Sequence, residues 1–229
     1  TAYEMLRSLV GSEMCIRDSL WDLDGVLVDS AAFHYQAFRE VLAQMGHDLD
    51  EETFRRSLLG LRNDAILRRL LGDLPPEQVQ DLAHRKEEAF RRLIEGRVQP
   101  LPGAREMVLA ARERGMLQGI VSSTPRQNVL LVLRTLGLED AFTAVVAEGD
   151  VSRGKPDPEG FLLAARRLQV PPEACTVIED APEGVQAAKA AGMRCLAVAT
   201  TRPPHMLSQA DLVVESLADP AARRFLLES

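Results

Sequence analysis

The sequence predicts an α/β fold: a Rossmann-like three-layer core around a parallel sheet, with a helical cap domain inserted into it. Three observations carry this. From about residue 100 onward, short apolar runs rich in Val, Ile and Ala alternate with amphipathic helical patterns, which is the signature of βαβ units. Between a first strand-like run near residue 20 and that alternation, the chain shows helical periodicity with no strand-like run. Polar residues capable of chemistry recur where successive strand runs end, the edge at which open α/β sheets bind ligands.

The elements follow in order. "LWDLDGVLVDS" (20–30) opens as a strand, and "AAFHYQAFREVLAQMG" reads as a helix with Ser30 as N-cap and Gly46 closing it. Helical patterns occupy 51–58, 63–71 and 76–95, with Pro76 near a start and Gly72 and Gly96 at ends. Then come a helix at 103–114, strand "QGIVSS", a helix at 126–136, strand "AVVAE" and a helix at 158–169. Strand "CTVIED", a helix at 182–191 begun by Pro182, strand "CLAVAT" and a late strand "DLVVE" complete the series. The expected division is a core of residues 20–32 and 98–229 and a cap of 33–97, with linkers near 30–33 and 97–101. Residues 1–19 are expected to be foreign to the fold. A central parallel strand should be apolar, yet Arg17, Asp18 and Ser19 directly precede Leu20, and "SEMCIRDS" resembles adapter-derived translations that recur in assembled sequence data. N-terminal sequencing and intact mass of the natural product test that expectation.

The 229 residues, 46% of them hydrophobic, suffice for a sizeable interior. A net charge of −7 argues against a nucleic-acid or anionic-membrane partner, so basic residues must act locally. Cys15, Cys175 and Cys195 are too few and too scattered for a disulfide framework, which favours a reducing compartment. No apolar run reaches the length of a spanning helix, and the first residues lack a signal-peptide layout. The expectation is a cytoplasmic monomer.

Asp22 and Asp24 stand two positions apart, so in a strand they point to one side. Like charges that close need a cation, a shared proton or a division of labour; the plain alternative is an Asp-Gly turn with two solvated carboxylates. The second strand run ends in Ser122, Ser123 and Thr124, the loop after the third holds Lys155 in "GKPDP", and the fourth ends in Glu179 and Asp180. Singly these are a helix cap, a solvated lysine and a turn. Four at one sheet edge, in chain order, point to a site.

In that order "DLDGVLVDS", "VSST", "GKPDP" and "IEDAPEGVQAAKAAGM" resemble the four motifs of the haloacid dehalogenase (HAD) superfamily. Over residues 20 to about 215 the chain is similar to its β-phosphoglucomutase-like group of phosphatases and phosphomutases. The resemblance implies a HAD-like core in which Asp22 is the nucleophile that forms an acyl-phosphate. Asp24 is then the general acid and base; superfamily members that break carbon–halogen bonds lack it. Mg²⁺ is implied, held by Asp22, Asp180, Glu179 and the main-chain carbonyl of Asp24. Ser122 would donate to a phosphoryl oxygen beside helix-start amides, with Ser123 next to it, and Lys155 would supply positive charge. In the cap, "GLRNDAILRRLLG" and "HRKEEAF" map Arg62 and Lys86 onto positions that meet the substrate's distal part. His34 maps onto a histidine near the base's proton. Each has a plain alternative: helix-start electrostatics, a solvated charged face and a structural histidine. "STPRQN" departs from the mutase continuation, placing Arg126 as a phosphate anchor or a helix-surface residue. The implied activity is a Mg²⁺-dependent phosphatase of small phosphorylated metabolites, sugar phosphates foremost. A β-phosphoglucomutase-type mutase is the alternative, and a noncatalytic binding protein on the same fold is a third reading.

Overall fold

The computed structural model describes residues 18–228. Six parallel strands form one sheet in the order β3-β2-β1-β4-β5-β6. They are β1 (Asp18–Trp21), β2 (Leu117–Pro125), β3 (Ala144–Glu148), β4 (Cys175–Glu179), β5 (Arg194–Val198) and β6 (Leu212–Val214). Side chains alternate between the two faces of each strand. Trp21, Ile120, Ile178 and Leu196 pack under α5 (Ala104–Glu113), α6 (Arg126–Leu136) and α9 (Pro220–Leu227), the last two on the same face as the first. Leu20, Val121, Val177, Cys195 and Ala197 pack under α7 (Glu159–Leu168) and α8 (Pro182–Ala190) on the other. This is the predicted three-layer α/β core.

The central strand begins at Asp18, two residues ahead of the expected start. Its first residues are polar yet buried, and each has a partner. The Asp18 carboxylate accepts from the Leu117 amide at 3.0 Å, while Ser19 Oγ accepts from Trp21 Nε1 at 2.9 Å and donates to Gln118 Oε1 at 3.4 Å. A buried polar group costs little once paired, so the strand does not need to be apolar throughout. Residues 1–17, the remainder of the segment expected to be foreign, lie outside the described residues.

The helices between β1 and β2 are α1 (Ala31–Ala43), α2 (Glu51–Ser57), α3 (Asn63–Leu71) and α4 (Pro76–Ile94). They bury their own cluster, including Phe38, Phe54, Leu58, Leu67 and Leu82. The far end of α4 belongs elsewhere: Ala89, Phe90 and Ile94 pack into the sheet-face cluster. Ser30 does not cap α1. Its hydroxyl is turned to the Asp24 carboxylate, and Asp29 accepts from the Ala31 amide at 3.1 Å instead. No helix among the described residues is long and apolar enough to cross a membrane.

Candidate active site

The site stands where β1, β2 and β4 end. The Asp22 amide donates to the Ile178 carbonyl at 3.0 Å, and the chain then turns at Gly25, where φ is +84°. A Cβ at Gly25 would lie 2.1 Å from Asp180 Oδ2, so the turn and the close approach both require glycine. On β2 the register to β3 shifts between Val121 and Pro125, and this bulge turns Ser122, Ser123 and Thr124 out of the regular ladder. Ser122 is buried and its Oγ accepts from the Thr124 amide at 3.1 Å; Ser123 is exposed.

Lys155 ties these ends together. Its Nζ lies 2.5 Å from Asp22 Oδ1 and 2.5 Å from Glu179 Oε1, and donates to the Val121 carbonyl at 3.1 Å. The other oxygen of Glu179 accepts from the amides of Asp180 at 2.9 Å and Ala181 at 3.2 Å. Gly184 makes room for this carboxylate, since a Cβ there would meet Glu179 Cδ at 1.9 Å. Asp180 accepts from the Thr201 hydroxyl, and the neighbouring Thr200 hydroxyl donates to the Gly25 carbonyl, so the loop after β5 braces the site.

Four acidic residues, Asp22, Asp24, Glu179 and Asp180, thus meet one lysine. Burial pushes Asp22 well above the usual carboxylate range, opposed by Lys155 and reinforced by Glu179, Asp180 and Asp24. Burial and Glu179 raise Asp180 to about 7. Burial also raises Asp24, against the Ser30 hydroxyl and the Lys86 charge. Although burial opposes it, the paired carboxylates Asp22 and Glu179 hold the Lys155 ammonium charged. The cluster is short of positive charge, and that deficit fits a divalent cation. Among the described residues no three His, Cys, Asp or Glu side chains converge as a closed metal cage. Mg²⁺ suits such a site, because it takes one or two carboxylates and completes its shell with carbonyl, water and phosphate oxygens. Asp22 and Asp180 could serve as its side-chain ligands, whereas both oxygens of Glu179 are engaged, one by Lys155 and the other by the Asp180 and Ala181 amides.

From the cap, α4 brings Lys86, which is 2% exposed. Its ammonium bonds Glu87 Oε1 and His34 Nδ1, each at 2.8 Å, and lies 4.9 Å over the Phe38 ring. His34 stacks on Phe90 with ring centroids 4.0 Å apart, and burial together with Lys86 keeps its imidazole neutral. Arg62 is exposed and pairs with Asp64 at 3.2 Å. Arg126 is not brought to the cluster: its guanidinium bonds the Val145 carbonyl of the outer strand β3 at 3.0 Å and Asp150, in the loop after it, at 2.5 Å. The phosphate-anchor expectation for Arg126 is therefore corrected, because a carboxylate and a strand carbonyl hold it elsewhere.

The model of the haloacid dehalogenase-like hydrolases matches residues 19–198. The chain belongs to this family. β-Phosphoglucomutase of Bacillus subtilis is 34% identical over 209 residues, covering 87% of this chain and 89% of that protein. The chloroplastic 5-amino-6-(5-phospho-D-ribitylamino)uracil phosphatase of Arabidopsis thaliana is 32% identical over 201 residues, 87% of this chain, which spans only about half (54%) of that longer protein. The crystal structure of CbbY from Rhodobacter sphaeroides in complex with phosphate superposes with a TM-score of 0.81 at 30% identity, over 89% of this chain and 96% of that one. Phosphatases and a phosphomutase are thus among the relatives of this haloacid dehalogenase-like hydrolase, as its four motifs imply. The match begins at Ser19, inside the strand that the structure starts at Asp18.

Several residues of this hydrolase site escape a reading of the sequence. Thr201 follows directly on the fifth strand run, so the strand-end rule that finds Asp22 and Asp180, extended by one residue, would have found it. Ser30 reads as a helix cap. Asn63, Glu87 and Asn128 carry no local signal at all.

Proposed function

We propose that this haloacid dehalogenase-like hydrolase is a Mg²⁺-dependent phosphatase of small phosphorylated metabolites, sugar phosphates foremost, acting through an aspartyl phosphate on Asp22. The single observation that carries the reading is the Lys155 ammonium 2.5 Å from Asp22 Oδ1, at a strand end that also bears Asp24. Lys155 opposes the burial that raises Asp22 and so favours the ionised carboxylate that a nucleophile needs. Asp24, raised by burial and bonded by Ser30, keeps a proton to give. Two carboxylates in unlike environments divide the work. An oxygen of Asp22 attacks phosphorus, the ester P–O bond breaks, and Asp24 protonates the leaving oxygen. Water then attacks phosphorus, Asp24 takes its proton, and the bond to Asp22 breaks with release of phosphate. Ser122 and the amides at the start of α6 are placed to bind phosphoryl oxygens. Asp22, Asp180 and the carbonyl of Asp24 would hold Mg²⁺, which supplies charge neutralisation for phosphoryl transfer.

A mutase reading is favoured by one observation, the 34% identity to β-phosphoglucomutase. One experiment separates the readings. The protein is incubated with Mg²⁺ and β-glucose 1-phosphate plus trace glucose 1,6-bisphosphate, beside a panel of sugar and polyol monophosphates, with free phosphate and glucose 6-phosphate followed together. Free phosphate, abolished by Asp22→Asn, is the expected result. Glucose 6-phosphate without phosphate release would make the protein a mutase, and no turnover across the panel would overturn both.

A further inference from the structure

Away from the carboxylate cluster, the molecule buries a second charged network where cap and core meet. Glu87 stands at its centre. One oxygen bonds Lys86 at 2.8 Å and Asn63 at the start of α3 at 2.7 Å; the other accepts from Asn128 Nδ2 at 2.5 Å. Asn128 is a core residue in the first turn of α6, fully buried, and its carbonyl oxygen accepts from the cap's Arg91 at 3.1 Å. Its amide also approaches Thr124 Oγ1 at 3.5 Å, on the bulge whose Thr124 amide bonds Ser122. One asparagine therefore holds two cap side chains with its two ends and lies against the phosphate-side strand end with its flank.

We propose that Asn128 is a positioning residue: the core half of a clasp, with Glu87 and Arg91 as the cap half, through which cap closure sets Lys86 beside Asp24 and steadies the Ser122–Thr124 bulge. The physical argument is one of satisfaction. A buried carboxylate that keeps Lys86 charged must have its remaining lone pairs filled, and a buried amide must spend both its donor and its acceptor. In the closed arrangement every one of these groups is partnered by another. If the cap swings away, Glu87 loses its core donor, Arg91 its core acceptor and Asn128 both cap partners, and all three meet water. The clasp thus favours closure from within the protein, leaving the substrate less of that work to do. It also fixes where the Lys86 ammonium stands, because Lys86, Asn63 and Asn128 pin the Glu87 carboxylate from three elements.

The inference rests on the phosphatase reading for its kinetic readout only, and a donor–acceptor swap tests it. Asn128→Asp sets two carboxylates face to face. Glu87→Gln leaves buried Lys86 without its counterion. The double variant keeps the total charge and reverses the hydrogen bond, since the new glutamine amide donates to the new aspartate, which Arg91 still bonds. Each single variant is expected to lose roughly tenfold to a hundredfold in kcat/KM, the scale of a buried charge-assisted hydrogen bond, and the double variant, in which Lys86 still lacks a directly bonded carboxylate, to recover several-fold over the worse single variant. Amide hydrogen exchange over residues 84–91 and 122–128, measured on the full chain, needs no turnover. It should quicken in each single variant and slow again in the double. If the wild type hydrolyses no ester, the phosphatase reading fails and exchange alone judges the clasp. A single variant with wild-type exchange, or a double variant no better than the worse single one in either readout, overturns the clasp.

Discussion

Asp24 sits in a balance of opposed influences: burial raises its pKa, while the Ser30 hydroxyl and the Lys86 charge draw it back. Its neighbour Asp22, pushed well above the usual carboxylate range by burial, is bonded directly by the Lys155 ammonium, which opposes that shift. Removing the Asp24 carboxyl should spare phosphate recognition, which the proposed mechanism gives to Ser122, Lys155 and the α6 amides, and strike the proton transfer. Asp24→Ala is expected to bind inorganic phosphate or vanadate nearly as the wild type does while turning over roughly a hundredfold or more slowly. Equilibrium binding alongside steady-state kinetics checks this, and near-normal turnover would remove Asp24 from its role. Asp22, Asp24, Ser122, Lys155 and Asp180 were legible in the sequence because a strand end or its loop presents each of them, whatever the rest of the chain does. Glu87 and Asn128 were not, because they lie 41 residues apart on surfaces that meet only when cap and core are assembled. Arg126 shows the converse error: its position beside Ser122 is local, but its direction is decided by Asp150, 24 residues further on.

The elements on the outer side of the sheet are joined by that same aspartate. Asp150, in the loop after β3, takes Arg126 from α6 at 2.5 Å, Arg167 from the end of α7 at 3.0 Å and the Ala147 amide at 3.0 Å. These partners, the Arg167 hydrogen bond first, hold its carboxyl down to about 2. A carboxyl whose folded pKa lies below its unfolded value of about 3.9 contributes stability in full above about pH 4, and that contribution is lost as pH falls from about 4 to about 2. The group is partly solvated, so the effect is small. Asp150→Asn is expected to lower Tm by roughly 1–4 °C at pH 7, with the gap closing as melts are taken at pH 4, 3 and 2.5. A gap that persists unchanged at pH 2.5 would show that the ion pairs are not its source. Most element positions were readable beforehand: α3, α6 and β3 run over the residues their periodicity predicts. The misread positions are those where a polar residue answers to a distant partner. Asp18 and Ser19 look wrong for a buried strand until Leu117 and Gln118 lie beside them, and Ser30 looks like a cap until Asp24 is within reach.

At the scale of the whole molecule, α4 is the member that makes cap and core one machine. Its first half buries Val79 and Leu82 in the cap's own cluster, and its second half buries Ala89, Phe90 and Ile94 against the sheet-face helices. Between these halves lie Lys86 and Glu87, so these candidate cap residues stand where the two hydrophobic clusters adjoin. Truncations on either side should then separate stability from function. Leu82→Ala removes packing inside the cap alone and is expected to cost about 2–5 kcal/mol, with turnover at 15 °C within about threefold of wild type. Phe90→Ala removes a buried ring from the joint and the surface on which His34 stacks, and is expected to cost about 3–5 kcal/mol. Because His34 holds the Lys86 ammonium, the loss of that ring should also lower turnover by about tenfold or more, since small misplacements of a site group cost rate steeply. Urea unfolding and kinetics on both variants, at a temperature where each remains folded, make the comparison. Equal kinetic losses for equal stability losses would mean that activity follows global stability alone, and α4 would then be a tether between two bodies. Unequal losses, with Phe90→Ala the worse, would locate the control of cap closure in the second half of this one helix.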